Sequence, residues 1–250
     1  MVEVFWTPIL YDDIKEHYVS ELNYYEPERL TKNINNKQFF GPLVSQCPSV
    51  VDELKNTFVV KSPIKFNATY DSVNLRVSST MKTLSPQFIA DYLDEPNPFG
   101  VHQVKFPDIL FFSEHDGLIM TQMPAYYHEN GFTDNVLGLS GSFDISNWAR
   151  PVRPAFKFKK NCNTIDLEIG DEMCYYKFNT DEKVKLIRFD GSKLYDPIDK
   201  SRSIFVNCVA YKTHSYNEYV PKTLIDCYNS FKRGRYRKRM MKYIDEHRLD

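Results

Sequence analysis

The sequence predicts a mainly β protein: a single antiparallel β-sandwich domain of jelly-roll type, with a few short helices and a basic C-terminal helix. Three observations support this fold class. From Thr57 onward, short apolar runs alternate with polar residues, which is the period of β-strands. Asp-Gly and Gly-Asp pairs separate several of these runs, as turns do. The 250 residues include 17 Tyr and 18 Phe but only 9 Gly, a composition typical of a packed globular protein.

The first 60 residues show no strong period, and their main predicted element is one or two helical turns over 49–54. Strands are predicted over 58–60, 64–70 and 73–77, where apolar and polar residues alternate. A helix is predicted over 85–93, because this segment opens with Ser-Pro and its apolar residues follow at helical spacing.

Further strands are predicted around two turn signals. Residues 101–112 and 118–123 flank an Asp-Gly pair, and Asp-Gly between apolar runs is the strongest local signal for an antiparallel hairpin. Residues 165–178 hold two alternating runs around a Gly-Asp pair, which suits a two-residue turn. A further strand over 184–189 would extend them into a meander of short strands, as in a sandwich or jelly roll.

The C-terminal segment differs in charge from the rest of the chain. Residues 1–222, predicted to be the β-rich domain, carry 24 Lys and Arg against 29 Asp and Glu, whereas residues 223–250 carry 8 against 4. Thr223 and Asp226 can cap the start of a helix, and apolar residues then recur near helical spacing as far as Ile244. We therefore predict a basic helical appendage over 223–250, with an apolar side able to dock on the body.

The charge of this appendage is concentrated in one stretch. Seven of the eleven residues from 232 to 242 are basic and none is acidic. Such a density can bind phosphates by releasing counterions, and an acidic partner would use the same charges. The alternative is a solvated helix face that balances the acidic body. The candidate nucleic-acid or acidic-partner residues are Lys232, Arg233, Arg235, Arg237, Lys238, Arg239 and Lys242.

A metal site is a second candidate. His115, Asp116 and His128, with His102 nearby in sequence, supply two His and a carboxylate, the facial triad of non-heme iron oxygenases. In that class the first His and the Asp lie two residues apart on a strand and share a face, whereas His115 and Asp116 are adjacent. A zinc site from the same residues lacks a thiolate or a second close His. Iron or zinc is thus the alternative expectation, and no cofactor is the main one.

Other features exclude several classes of protein. Five cysteines at wide spacing match neither a disulfide framework nor a Cys-x-x-Cys metal site, so we expect reduced thiols. The first residues lack the order of a signal peptide, and no apolar run approaches the roughly 18 residues of a membrane span. No glycine-rich phosphate loop or nucleophile elbow is present. We therefore expect a soluble protein without an export signal.

Four groups of residues carry a likeness to a known family. They are Cys47–Val50 with Lys55–Pro63, Leu110–Ser113, Trp148–Pro151 and Ile169–Phe178. In these segments the chain resembles an uncharacterised family of tailed-phage proteins, known only as a domain of unknown function. The resemblance implies a phage-encoded β-sandwich located in the cytoplasm of an infected host cell or in the virion. It implies no reaction.

The leading functional expectation is a non-enzymatic phage accessory or virion-associated interaction protein with a protein partner. The alternatives are a metal-dependent jelly-roll oxygenase of the 2-oxoglutarate type and a nucleic-acid-binding protein that acts through the basic tail. The adjacent aromatics Tyr126-Tyr127 and Tyr175-Tyr176 could mark a carbohydrate or partner surface. In a sheet with one solvent face, however, one member of each pair should face the core and the other the solvent.

Overall fold

The computed structural model shows a mainly β protein, as the sequence predicts, with sixteen strands and three helices in the part of the chain that it describes. Most strand pairs are antiparallel, and the longest of these helices is C-terminal. The described residues are 1–9, 25–34, 46–70, 75–78, 100–104, 108–147, 151–192, 194, 210–212, 219–221 and 235–249.

The strands are short. They are β1 (Val2–Pro8), β2 (Glu28–Arg29), β3 (Thr57–Lys61), β4 (Phe66–Tyr70), β5 (Leu75–Ser78), β6 (His102–Gln103), β7 (Ile109–Phe112), β8 (Ile119–Pro124), β9 (Val136–Gly138), β10 (Gly141–Asp144), β11 (Ala155–Phe158), β12 (Thr164–Leu167), β13 (Glu172–Phe178), β14 (Val184–Arg188), β15 (Ala210–Lys212) and β16 (Tyr219–Pro221). The helices are α1 (Leu30–Asn33), α2 (Pro48–Leu54) and α3 (Arg235–His247).

Two sheets face each other across the main core. Sheet A has the strand order β14-β1-β7, with β1 parallel to β14 and antiparallel to β7. Sheet B has the order β10-β8-β13-β3-β2 and is antiparallel. Side chains from both sheets share one apolar cluster, which includes the buried Trp6, Phe111, Met120, Tyr176 and Phe178. Sheets A and B are therefore two layers of a sandwich, and the smaller sheets β6-β11-β9, β12-β4-β5 and β15-β16 hold the other strands.

Each of the two main sheets is also covered on its outer face. In sheet A, Phe5 and Phe112 pack against apolar residues of α3. In sheet B, Tyr175 packs in a cluster with residues of α1 and α2. Tyr175 and Tyr176 are thus both fully buried, on opposite sides of β13. The expectation that one of this pair faces solvent is wrong, because both faces of sheet B are covered at this position.

The hairpin predicted around Asp116-Gly117 is also wrong, because β7 lies in sheet A and β8 in sheet B. The turn itself exists, and Gly117 has the left-handed φ of 69° that favours glycine. It carries the chain across the core instead of back along the same sheet. As a result, Phe111 before the turn and Met120 after it both enter the shared cluster. The two strands that flank the turn therefore contribute side chains to one core from opposite sheets.

The meander predicted over 165–189 is wrong for a related reason, since β12, β13 and β14 belong to three different sheets. The turn at Gly170, with φ 93°, is bonded to the connection between β3 and β4. Gly170 N–H donates to Ser62 O at 2.9 Å, and Ser62 N–H donates to Asp171 O at 2.8 Å. The alternation located these strands correctly, and contacts far along the chain selected their partners.

The elements predicted over 49–77 are confirmed by α2, β3, β4 and β5, of which the last two pair antiparallel. The helix predicted over 85–93 and the helix start at Thr223 lie outside the described residues. Cys47, Cys162 and Cys174 are free thiols, as expected. None of the three helices in the described ranges has the length and apolarity to cross a membrane.

Candidate functional site

The C-terminal helix α3 is attached to the outer face of sheet A. Met240 and Ile244 are buried there with the apolar residues of β1, β7 and β14. The Tyr243 hydroxyl donates to Asp190 O at 2.8 Å. After the helix, Leu249 N–H donates to Arg188 O at 3.0 Å, which ties the end of the chain to β14. The apolar side predicted for this helix therefore docks on the body.

The seven predicted basic residues are divided by this docking. Lys232 and Arg233 lie outside the described residues, and Arg235 is the first described residue of α3. Arg237 faces the body, where it pairs with Asp116 and donates to Glu114 O. The remaining three cations are exposed, although Lys242 lies 3.8 Å from Glu246 and the Arg239 guanidinium lies over the ring of Tyr236. These three are Lys238, Arg239 and Lys242.

The predicted metal ligands do not converge. Among the described residues, no three His, Cys, Asp or Glu side chains form a group that could hold a metal ion. His115 is exposed on the turn between β7 and β8, and the neighbouring Asp116 pairs with Arg237. His102 is buried, with its ring stacked on Phe156 at 5.3 Å between centroids. The iron or zinc alternative stays a prediction.

His128, the third predicted ligand, belongs to a network on the outer side of sheet B. Its Nδ1 lies 2.6 Å from the Tyr175 hydroxyl, and its Nε2 lies 2.5 Å from Asn33 Oδ1. Tyr127 N–H donates to the same hydroxyl at 3.0 Å. Burial lowers the pKa of His128, although Glu172 nearby acts in the opposite direction. A neutral ring that accepts from Tyr175 and donates to Asn33 satisfies both nitrogens.

A groove with a volume of about 710 Å³ lies between the edges of the two main sheets. We call it the edge groove. The edge strand β14 of sheet A forms one wall, and the edge strand β2 of sheet B with α1 forms the other. Its charged residues are Glu26, Glu28, Arg29, Lys32, Lys183 and Lys185, and Phe58 and Leu186 add apolar surface.

Two side chains fix the walls of the edge groove at the start of β14. Asn56, in a left-handed conformation with φ 52°, donates to Thr180 O at 3.0 Å and to Glu182 O at 2.7 Å. Its Oδ1 accepts from Val184 N–H at 3.1 Å. Arg29 lies over the Phe58 ring, 5.0 Å from the centroid, and donates to Val184 O. The loop before β14 and the wall from β2 are thus joined through Val184.

The edge groove is positively charged, although the body as a whole is acidic. Within the described part of the chain, Lys32, Lys183 and Lys185 form no ion pair. Glu28, in contrast, pairs with Lys61 at 3.2 Å, and the hydrogen bond from Lys61 holds the pKa of Glu28 below its usual value. The groove therefore presents more cations than anions to a ligand, with four Lys and Arg residues against Glu26 and Glu28.

Sequence reasoning missed the edge groove. The one local signal is that Lys183 and Lys185 lie two apart at the start of a predicted strand, which places them on one face. Arg29 and Lys32 come from a segment with no strong period. Arg29 and Val184, which are in contact, are 155 residues apart in the chain. Comparison with protein-family models, with curated proteins and with solved structures finds no match for this chain.

Proposed function

We propose that this protein is a non-enzymatic interaction protein that binds a macromolecular partner through the edge groove. The resemblance to tailed-phage proteins makes it, in this proposal, a phage accessory or virion-associated protein. The observation that supports the proposal is the cationic lining of the groove, where Lys32, Lys183 and Lys185 have no ion pair within the described residues. Clustered charge of one sign in a concave surface concentrates ligands of the opposite sign.

The charge of the rest of the chain makes this cluster significant. Residues 1–222 carry five more acidic than basic residues, from 29 against 24, so a cationic groove is not a by-product of a basic protein. Arg29 is held by Phe58 and Val184, Lys185 extends from β14, and Lys183 directly precedes β14, where its carbonyl accepts from Val2 N–H. The charges thus stand on ordered elements, which limits the entropy lost on binding.

Binding of poly-L-glutamate at low ionic strength tests the proposal. The variant Lys183→Glu/Lys185→Glu removes groove cations, and Lys159→Glu/Lys160→Glu, on an exposed loop, changes the net charge by the same amount. We expect the groove variant to bind at least about tenfold more weakly and the control to change less than about threefold, because only the groove charges meet the ligand. Equal losses in the two variants would refute the proposal.

A second candidate function is nucleic-acid binding through α3. It is favoured by the outward position of Lys238, Arg239 and Lys242, since the docked apolar side leaves these cations exposed. Residues 238, 239 and 242 lie on one side of a helix at a spacing of three to four. Such a stripe can follow a phosphate backbone.

Fluorescence anisotropy with a single-stranded DNA and an RNA of equal length, at several salt concentrations, tests this candidate. We expect binding that weakens as the salt concentration rises. In Lys238→Ala/Arg239→Ala/Lys242→Ala, the number of counterions released on binding should fall by about three, one for each lost phosphate contact. Arg237→Ala is a control, because its charge is already paired with Asp116. An unchanged salt dependence in the triple variant would reject the candidate.

A further inference from the structure

The edge strand β14 presents backbone N–H and C=O groups to the edge groove. Val2 N–H donates to Lys183 O, and Phe189 N–H donates to Trp6 O, so the backbone groups of the odd-numbered residues of β14 face β1. The groups of the even-numbered residues, from Val184 to Arg188, therefore point outward from the edge of sheet A. They are the groups that an additional strand would use.

Both ends of this outward edge are already occupied. Val184 N–H donates to Asn56 and Val184 O accepts from Arg29, while Arg188 O accepts from Leu249 N–H. Between these points, Leu186 N–H, Leu186 O and Arg188 N–H have no hydrogen-bond partner within the described part of the chain. Proteins commonly block exposed strand edges along their length. Among the described residues, this edge is blocked only at its ends.

The residues on either side of Leu186 determine which side chains an added strand can carry. Val184 packs into the core between the sheets and Ile187 into the cluster under α3, so Lys185 lies on the α3 side of sheet A. Arg29 and Lys32 lie on the side of sheet B. Side chains of an added strand alternate between these two sides, and both sides offer cations.

We infer that the edge groove binds an acidic, extended peptide segment of a partner protein, which adds to sheet A as a strand beside Leu186. The inference rests on the proposed function and names the partner's chemistry. Leu186 supplies one donor and one acceptor to the added strand, in the gap between Val184 and the contact of Arg188 with Leu249. Main-chain bonds of this kind give affinity in strand addition, and the flanking cations select acidic side chains.

The test uses a fluorescein-labelled peptide of four Glu-Val repeats as the acidic probe, with four Lys-Val repeats as its control. Binding is measured by anisotropy, and hydrogen exchange is followed at the Leu186 amide by NMR. We expect the acidic probe to bind, to slow exchange at the Leu186 amide at least about tenfold, and to lose affinity when the Val of its second repeat is replaced by Pro, which removes a backbone donor. Binding of the Lys-Val peptide with equal affinity would overturn the inference.

Variants of the protein distinguish strand addition from the more general interaction function of the groove. Leu186→Pro removes the outward N–H of an edge residue, and Leu186→Val is the control that keeps it, with circular dichroism as a check of folding. Loss of binding in Leu186→Pro and in Lys183→Glu/Lys185→Glu supports strand addition. Loss only in the charge variant, without amide protection, overturns strand addition and leaves the interaction function intact. If a single-stranded oligonucleotide displaces the probe and the probe does not protect the amide, a peptide is overturned as the occupant. If neither variant changes the binding, both proposals are refuted.

Discussion

Asn56 provides a test of how the loop before β14 is held. The side chain is buried and makes three hydrogen bonds, two as donor to Thr180 O and Glu182 O and one as acceptor from Val184 N–H. Asn56→Ala removes all three and leaves their backbone partners unpaired. It also places Ala at φ 52°, a conformation that costs a residue with Cβ about 1 kcal/mol or more.

The magnitude follows from these losses. Each net hydrogen bond contributes about 0.5–1.5 kcal/mol, so Asn56→Ala is expected to lower the free energy of unfolding by about 2–5 kcal/mol. Asn56→Gly should be about 1 kcal/mol less damaging, because glycine adopts the positive φ without strain. Asn56→Asp keeps the shape but turns a carboxylate toward two carbonyl oxygens, so at pH 7 it should be at least as damaging as Asn56→Ala.

Urea denaturation followed by tryptophan fluorescence measures these values, and the Asn56→Asp variant adds a pH test. The two carbonyls raise the pKa of the introduced carboxyl in the folded state, so the folded protein takes up the proton first. The deficit relative to wild type should therefore shrink as the pH falls through this raised pKa towards about 3.9, the ordinary value. An Asn56→Ala protein within about 0.5 kcal/mol of wild type, with the same urea dependence, would refute the reasoning.

Three further predictions concern the packing around the sandwich. Ile244→Ala should lower the free energy of unfolding, measured by urea denaturation, by about 2–5 kcal/mol, because it leaves a cavity under α3. Removal of the exposed Lys242–Glu246 ion pair on the same helix should lower it by under about 1 kcal/mol in the same assay. Asp108→Ala should cost about 3 kcal/mol in the same assay, because the buried carboxylate makes two bonds to Arg153, at 2.7 and 2.9 Å; a loss of less than 1 kcal/mol would contradict this. Burial lowers the pKa of His102, so stability should fall as the pH drops below about 6.5, where the unfolded chain takes up a proton that the folded one resists. His102→Phe, which keeps the stacking on Phe156, should weaken this pH dependence, and an unchanged dependence would exclude His102 as a source.

Local sequence patterns located several strands but missed β1 and β2, and they did not identify the partners of the strands they located. Alternation located β4 and β13, because side chains on opposite faces of a strand meet different surroundings, and a short apolar run located β3. The same pattern does not state which edge a strand joins, and the turns at Gly117 and Gly170 cross between sheets where a hairpin would return. Turn chemistry fixes the backbone conformation, while the choice between hairpin and crossing depends on distant strands.

The candidate site was harder to predict for the same physical reason. The basic stretch of α3 is a continuous charge run, and such runs are visible in a sequence. The edge groove combines Arg29 with Lys183 and Lys185, which come near each other where the edge of sheet B contacts the edge of sheet A through Arg29 and Val184. In the same way, the environment of His128 depends on Asn33 and Tyr175, neither of which is its neighbour in the chain.

The central position of β1 in sheet A has a consequence for how the protein is made. Val2 pairs with Val184, and the outer face of the same sheet is covered by α3, which begins at Arg235 in the described chain. A ribosome adds about 5–20 residues per second, so β1 waits roughly 10–40 s for its parallel partner and longer for its helical cover. During that time its apolar residues have no native neighbours in sheet A beyond β7. Synthesis should therefore expose a long-lived intermediate that depends on chaperones, and nascent chains arrested before residue 184 should be protease-sensitive in β1.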